Sequence, residues 1–396
     1  PALRFRGFYD AWEQRKLGDL ANIVRGASPR PIQDPKWFDK ESNIGWLRIS
    51  DVTEQNGKIY HLDQHISKLG QEKTRVLTEP HLLLSIAATV GKPLVNYIKT
   101  GVHDGFLIFL DPLFEREFMF QWLEMFRPQW KKYGQPGSQV NLNSELIRNQ
   151  DILIPGNTEQ QKIGSFFKQL DNLITQNERK VNLLKQLKQA YLQKIFSQEL
   201  RFAGFSNAWK ERKLKDVTER VRSNDGRMDL PTLTMSASSG WLDQKDRFSG
   251  DISGNEKKNY TLLKKGELSY NHGNSKLAKY GVVFSLKNYE EALVPRVYHS
   301  FKALANTSAD FIEYMFSTKL PDRELGKLVS SGARMDGLLN INYDDFMNIH
   351  ITFPNYEEQI LMSAFFRKLD NTIALHQQKL NLLKKQKQAY LQKMFI

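Results

Sequence analysis

Apolar residues recur at alternating intervals of four and three along two long stretches of the chain. The first stretch, residues 158–196, contains no proline, and its seam runs through Ile163, Phe167, Leu170, Ile174, Val181 and Leu184. The second seam runs through Met362, Phe366, Leu369, Ile373, Leu380 and Leu383. This spacing predicts two helices of the coiled-coil type. Each seam has one polar position, Asn177 or His376, and a polar seam residue typically fixes the register.

Each predicted helix is too long to be stable without a partner. About 38 helical residues span roughly 57 Å, and the other seam is the nearest surface with the same pattern. The short connection from Ser197 to Leu200 favours an antiparallel pair. In that arrangement the two globular parts lie at opposite ends, related by an approximate two-fold axis.

The helices belong to a longer internal repeat. Residues 4–22 match residues 201–219 at 10 of 19 positions, with an offset of 197. Residues 181–196 match residues 380–395 at 12 of 16 positions, with an offset of 199. A period this long indicates duplication of a domain.

Between the repeated segments the similarity disappears, over residues 23–135 and 220–335. Neutral drift would blur all segments alike, so the repeated frame performs one task twice and each variable middle performs a different one. The predicted domain boundaries divide the chain into a first domain, a first helix, a second domain and a second helix: 1–156, 157–200, 201–355 and 356–396.

The composition indicates a polyanionic partner. The 396 residues carry a net charge of +13, which attracts DNA or RNA; a basic protein that binds an acidic partner is the alternative. The absence of cysteine excludes disulfides and thiolate metal sites. No apolar run is long enough for a membrane span and no signal peptide is recognised, so we expect a cytoplasmic protein.

The order of variable domain, repeated helix, second variable domain and second repeated helix resembles the specificity subunit of type I restriction-modification enzymes. The similarity covers essentially the whole chain. The motifs that carry it are RFRGFYDAWEQRKLGDL at Arg4, RFAGFSNAWKERKLKDV at Arg201, EQQKIGSFFKQLDNLI at Glu159, and KQAYLQK at Lys188 and Lys387.

The resemblance implies two target recognition domains of mixed α/β fold, separated by two antiparallel helices. Each domain reads one half of a split sequence in double-stranded DNA. The partners are two methyltransferase subunits and the restriction subunits; S-adenosylmethionine, ATP and Mg²⁺ belong to these partners, so no catalytic residue, cofactor or metal is expected here. The helix residues assigned to partner contacts are Phe167, Leu170, Ile174, Leu184, Tyr191, Phe366, Leu369, Ile373, Leu383 and Tyr390.

The residues themselves show no complete catalytic motif. Residues 353–356 have the wrong order for the element with which a methyltransferase holds a flipped base. Gly91-Lys92 lacks the other residues of a phosphate-binding loop. In residues 321–327 the Glu–Lys spacing is one residue too long for a nuclease site. A nuclease that acts alone and a scaffold with two protein-binding domains remain the alternatives.

Polar and basic turns are the candidate DNA contacts, because side chains at base edges read sequence and phosphate contacts position the protein. In the first domain the predicted contacts are Arg25, Ser28, Arg30, Arg48, Ser50, Thr89, Lys92, Ser138 and Gln139. In the second domain they are Asn271, His272, Asn274, Ser275, Lys276, Lys279 and Arg334, with Arg296 as a further phosphate contact.

Overall fold

Contacts within the chain divide it into two units that share both long helices. The computed structural model describes residues 1–87, 89–130, 142–248, 254–329 and 338–396. The first unit contains residues 1–179 together with 377–396, and the second contains residues 180–376. Each unit is therefore built from its own domain and from half of each helix.

The elements of the first unit alternate short strands with short helices. Its strands are β1 (Glu13–Lys16), β2 (Asn22–Arg25), β3 (Gly45–Leu47), β4 (Lys58–Ile59), β5 (Arg75–Leu77), β6 (Leu82–Ser85), β7 (Pro93–Asn96), β8 (Thr100–Val102), β9 (Phe106–Leu110) and β10 (Asp151–Ile154). Its helices are α1 (Leu17–Leu20), α2 (Asp51–Glu54), α3 (Lys68–Gln71), α4 (Arg116–Trp130), α5 (Ser144–Arg148) and the first half of α6 (Asn157–Phe196).

The elements of the second unit follow a similar order. Its strands are β11 (Lys210–Lys213), β12 (Thr218–Arg220), β13 (Leu233–Ser236), β14 (Gly240–Asp243), β15 (Thr261–Lys264), β16 (Leu268–Asn271), β17 (Val282–Ser285), β18 (Glu291–Val294), β19 (His299–Ala303) and β20 (His350–Phe353). Its helices are α7 (Gln244–Phe248), α8 (Ala309–Ser317), α9 (Asp322–Leu328), α10 (Tyr343–Met347) and the first half of α11 (Tyr356–Phe395).

The variable middles of the two units contain the same four-stranded arrangement. In the first unit the order is β2-β9-β6-β7, with β4 added beside β7, and in the second it is β12-β19-β16-β17. All three pairings among the four strands are antiparallel in both units. The middles therefore share a sheet that their sequences do not reveal, and they differ in the strands added around it.

The repeated frame closes each domain with a two-stranded ladder. Strand β1 pairs with β10, with Glu13 opposite Ile154, and β11 pairs with β20, with Lys210 opposite Phe353. A short helix precedes the second strand of each ladder, and an asparagine caps both helices through its side chain. The frame residues thus build the same local structure twice.

The two predicted seams are confirmed as unbroken helices of 40 residues each. In the first unit Asp171 and Glu178 of α6 form ion pairs of 2.6 Å with Lys387 and Lys384 of α11. The residue numbers of these pairs increase along α6 and decrease along α11, so the two segments run antiparallel.

The helix segments of the second unit also run antiparallel. Lys188 of α6 donates to Asp370 of α11 at 2.5 Å, and the Tyr191 ring lies edge-on to Phe365 with centroids 5.3 Å apart. The pairs Asp171–Lys387 and Lys188–Asp370 occupy equivalent repeat positions. The same ion pair is therefore made once in each unit.

Aromatic side chains from both helices complete the core of each unit. Phe167 of α6 and Phe395 of α11 stack at 5.9 Å in the first unit, and Phe196 and Phe366 stack at 6.1 Å in the second. Each helix half thus packs into a domain through its apolar face. No helix in the described part of the chain is both long and apolar enough to cross a membrane.

Candidate nucleic-acid interface

One edge of the shared sheet gathers the predicted contacts of the first unit. Antiparallel pairing brings together the end of β2, the start of β9, the end of β6 and the start of β7. The described connections at this edge include residues 26–30, 86–87, 89–92 and 103–105. The opposite edge leads from β9 into α4, which packs on α6. The selected loops therefore lie at the other end of the strands, where the turn at Gly91 contacts Trp130 at the end of α4.

Asp104 organises three of the predicted contacts. Its carboxylate accepts hydrogen bonds from Ser28 Oγ at 2.9 Å and from Arg30 at 2.6 Å, and its carbonyl oxygen accepts from Arg25 Nε at 2.6 Å. Arg75 Nε donates to the Arg25 carbonyl oxygen at 2.8 Å. The result is an exposed cluster of arginines held around one acid.

The acid of this cluster is held in its charged form. Burial raises the pKa of Asp104, but the Ser28 hydroxyl, His103 and the neighbouring arginines lower it further, so the pKa lies below its ordinary value. The carboxylate therefore offsets part of the positive charge of Arg25 and Arg30.

Arg48 and Ser50 follow β3, which runs beside β8 and brings them close to His103. Arg48 donates to both carboxylate oxygens of Asp51, at 2.8 and 3.3 Å, and Asp51 is only 3% exposed. This pairing raises the pKa of Arg48 and fixes the direction of its guanidinium group. Ser50 is exposed beside it. Both line a cleft of about 910 Å³ that also contains Trp46.

Thr89 and Lys92 lie in the tight turn between β6 and β7. Both are half-buried, and the Lys92 backbone N–H donates to the Thr89 carbonyl oxygen at 3.1 Å. Gly91 between them has φ +73°, and a Cβ at this position would lie 2.3 Å from Trp130. Glycine is required here by both the backbone conformation and the close approach of the Trp130 ring.

The equivalent edge of the second unit carries the long connection between β16 and β17. Its side chains Asn274, Ser275, Lys276 and Lys279 are exposed. Ser275 Oγ also accepts from the Ala278 backbone N–H at 3.1 Å, which shapes the turn. The exposed polar positions that sequence analysis selects in this segment are thus brought together in one loop.

Two predicted contacts of this loop are less accessible, and one of them, His272, lies inside the protein. His272 is only 6% exposed, and its two ring nitrogens lie 2.6 and 3.1 Å from the carbonyl oxygens of Leu339 and Val297. Asn271 is half-buried and accepts from the Gly273 backbone N–H at 3.0 Å. Their positions support the loop, and the assignment of His272 as a direct DNA contact does not fit its burial.

Three further predicted contacts, Ser138, Gln139 and Arg334, lie outside the described residues. Arg296, the additional phosphate contact, is exposed in the connection that precedes β19.

The helix residues assigned to partner contacts pack inside the units. Those buried are Phe167, Leu170 and Phe366, and those half-buried are Ile174, Leu184, Tyr191, Leu369, Ile373, Leu383 and Tyr390. They form the seam between the helices and the contacts with the domains, because each helix turns its apolar face to its own unit. Other apolar helix residues are exposed, among them Leu183 and Leu382.

Several charged residues at the two sheet edges are not among the predicted contacts, namely Arg75, Asp104, Arg220 and Arg222. The repeat contained a usable signal for one of them, because the offset of 197 places Arg25 on Arg222. Asp104 and Arg75 are brought to the edge only by strand pairing, which the sequence does not specify.

The described residues contain no group of three or more His, Cys, Asp or Glu side chains placed to hold a metal ion. The polar groups at the two edges are instead arginines, lysines, hydroxyls and amides, which suit hydrogen bonds to bases and phosphates.

A comparison with protein families gives two matches along the chain. The family described as the type I restriction modification DNA specificity domain matches residues 9–188 and again residues 207–385. The chain belongs to this family. It is a type I restriction-modification specificity subunit with two specificity domains in tandem.

Solved structures share the fold of this specificity subunit along its whole length. The S subunit of a type I restriction-modification system from M. genitalium matches with a TM-score of 0.63 at 12% identity, over 100% of this chain and 99% of that one. A chain from a structural study of complex assembly and conformational transition of the type I R-M system matches with a TM-score of 0.54 at 15% identity, over 97% of both chains.

Proposed function

We propose that each unit of this specificity subunit reads one half of a two-part sequence in double-stranded DNA, and that the paired helices set the unread spacer between the halves. One observation carries the proposal. The two units repeat the same four-stranded sheet, and each presents a basic and polar edge, but the side chains at the two edges differ. Equivalent frames with different side chains suit two different half-sites.

The charge and chemistry of the edges support contact with DNA. The first edge carries Arg25, Arg30 and Arg48, and the second carries Lys276 and Arg222. Arginine suits guanine edges and phosphates, whereas amides and hydroxyls suit the other bases. Arg48 is already oriented by Asp51, so it loses little side-chain freedom when it binds.

We place the contacts with two methyltransferase subunits on the outward faces of the helices. Leu183 and Leu382 occupy equivalent repeat positions and are 63% and 57% exposed. One belongs to the second unit and the other to the first. An exposed apolar side chain at the same place in each unit suits one copy of the same partner per unit.

We further propose that the chain itself catalyses neither methyl transfer nor cleavage and holds no cofactor. S-adenosylmethionine, ATP and Mg²⁺ would act in the methyltransferase and restriction subunits, in a complex that meets DNA in the cytoplasm. Membership in a family of specificity subunits supports this assignment.

Exchange of one variable domain is expected to change one half of the target. Residues 23–135 would be replaced by the corresponding segment of another family member, and methylated positions would be mapped in DNA from cells that also carry the methyltransferase. We expect a new first half, an unchanged second half and an unchanged spacer, because the second unit and both helices are retained.

Two controls accompany this exchange. The chain without methyltransferase should leave DNA unmethylated and a plasmid uncut in the presence of Mg²⁺. A change in both halves would contradict modular reading, and a chain that binds no DNA with its partners present would favour the alternative of a protein-binding scaffold.

Substitution of Leu183 and Leu382 by aspartate is expected to remove methyltransferase docking. Each single variant should bind one methyltransferase subunit and the double variant none, because a charge in an apolar contact loses hydration without gaining a partner. Native mass spectrometry would count the bound subunits. Leu113→Asp is the matched control, since Leu113 is 69% exposed but lies on the first domain. Retention of two subunits by the double variant would refute the docking assignment.

A further inference from the structure

The repeat and the strand register identify an equivalent pair of residues at the two edges. Arg25 and Arg222 match at the offset of 197; Arg25 is the last residue of β2, and Arg222 lies two residues after the end of β12. Arg25 lies opposite Leu107 in its ladder. Continuation of the β12–β19 register past Arg220, which lies opposite Phe301, places Arg222 beside His299.

The residue three positions before Leu107 in the first unit differs in charge from the residue three positions before His299 in the second. In the first unit it is Asp104, which accepts a hydrogen bond from Arg25 through its carbonyl oxygen and from Arg30 through its carboxylate. In the second unit it is Arg296. The same place in the fold thus holds an acid in one unit and a third arginine in the other.

The second unit contains a cavity of about 310 Å³ at this place, lined by Arg220, Arg222 and Arg296. Among the described residues, none of these three arginines forms an ion pair with a carboxylate. The charges of Arg296 and Arg220 lower the pKa of Arg222, which is the effect of guanidinium groups crowded together without an acid. Three exposed cations in one concave site repel one another until an anion binds.

Neutral groups hold two of these arginines in place. The Arg220 guanidinium lies 4.0 Å above the ring of Tyr343. The two residues that follow Arg296 are tied down, because the Val297 carbonyl oxygen contacts His272 and the buried Tyr298 hydroxyl accepts from the Met235 backbone N–H. Burial lowers the pKa of His299 to about 4, so this ring adds no charge to the cavity near neutral pH.

We propose that Arg220, Arg222 and Arg296 form a binding site for neighbouring phosphodiester groups of the DNA backbone, and that the second unit thereby supplies more of the electrostatic affinity for DNA than the first. Guanidinium groups bind phosphate oxygens with paired, charge-assisted hydrogen bonds. The inference rests on the proposed function, because it assigns the ligand to the edge that would face DNA.

Salt dependence of binding tests the site directly, since each phosphate contact contributes about 0.9 to the slope of log affinity against log salt. The full chain would be titrated with a duplex of unrelated sequence between about 50 and 300 mM salt. We expect Arg220→Gln, Arg222→Gln and Arg296→Gln together to lower the slope by about 2 to 3. At about 0.1 M salt this corresponds to a loss of affinity of about 100- to 1000-fold.

The matched control removes the same number of charges from the first unit, through Arg25→Gln, Arg30→Gln and Arg75→Gln. We expect this variant to lower the slope by about 1, because Asp104 already offsets part of that charge. Asp104→Asn is the converse variant, and it should raise the slope by about 1, because it releases Arg30 from its ion pair. Melting temperatures close to that of the parent chain would show that all variants fold.

Inorganic phosphate is the second probe, because a free anion has the same chemistry as the phosphodiester. Its ³¹P line width would be measured with the parent chain and with the second-unit variant. A loss of phosphate binding together with the lower duplex slope supports the proposal. A loss of phosphate binding with an unchanged duplex slope overturns it and leaves a site for a free anion.

The remaining outcomes separate this inference from the proposed function. Equal slopes for the two triple variants, or no change in either, would overturn the phosphate site while leaving DNA binding intact. A parent chain that binds no duplex at all would refute the proposed function before any variant is compared.

Discussion

Replacement of Phe366 by alanine is expected to lower the free energy of unfolding of the second unit by about 3 to 5 kcal/mol. The ring is fully buried and lies between both long helices and the domain, with centroid distances of 5.2 Å to Tyr314 and 6.1 Å to Phe196. Its removal takes away apolar contacts and leaves a cavity that the surrounding aromatic rings cannot fill without moving.

Hydrogen exchange would measure the loss of unfolding free energy and show which residues are affected. Backbone amides of residues 201–355 should exchange roughly 140- to 4000-fold faster in Phe366→Ala, since each 1.4 kcal/mol is a factor of ten. Leu375→Ala is the matched control, because Leu375 lies on the same helix but is 65% exposed. Similar exchange rates in the two variants would contradict the role of Phe366 in joining helix and domain.

Gly281→Ala is expected to have the second large effect, of about 2 to 5 kcal/mol, and to displace the loop between β16 and β17. Gly281 has φ +84°, where an alanine is strained by about 1 to 2 kcal/mol. A Cβ here would also lie 2.3 Å from the carbonyl oxygen of Asn271. Because this contact is with the backbone, relief requires the strand end to move, which adds about 1 to 3 kcal/mol.

Gly266→Ala separates the two contributions. Gly266 has φ +85°, but a Cβ added to it would meet no heavy atom within 4 Å, so this variant carries the strain without the collision. Thermal unfolding should show a distinctly larger loss for Gly281→Ala, and DNA affinity should fall in that variant alone, since Asn274 and Lys276 lie in the displaced loop. Equal losses of stability in both variants would show that the close approach to Asn271 is unimportant.

The long helices are the part of the fold that the sequence predicts best. A seam repeated over 40 residues contains many independent positions that agree, and only a helix explains the spacing. The sequence does not predict the shared sheet, because its strands have only three to five residues. Several of these strands are buried on both faces, as in β6, where all four residues are buried. Such short apolar runs match any strand or helix segment equally well, so two unrelated-looking middles can hide one strand order.

The candidate site was predictable in its loops but not in its partners. Glycine, amides and basic residues marked the turns at Gly91 and Asn274, which strand order then places at equivalent edges. Residue type could not reveal that His272 is buried, because a polar side chain can be satisfied inside the protein by backbone carbonyls. Residue type also could not reveal that Arg25 and Arg30 both donate hydrogen bonds to Asp104, since 74 residues separate Asp104 from Arg30.

The sharing of both helices between the units sets an order for assembly during synthesis. Residues 180–376 contain the whole second unit, whereas the first unit requires Leu391, Met394 and Phe395, which fill its core. At about 5 to 20 residues per second, the first domain leaves the ribosome roughly 10 to 40 s before these side chains exist. Until then the apolar surface of the first domain that these three side chains cover is accessible to chaperones and proteases. The first unit therefore becomes complete only after the second domain has been synthesised, because residues 377–396 follow that domain in the chain.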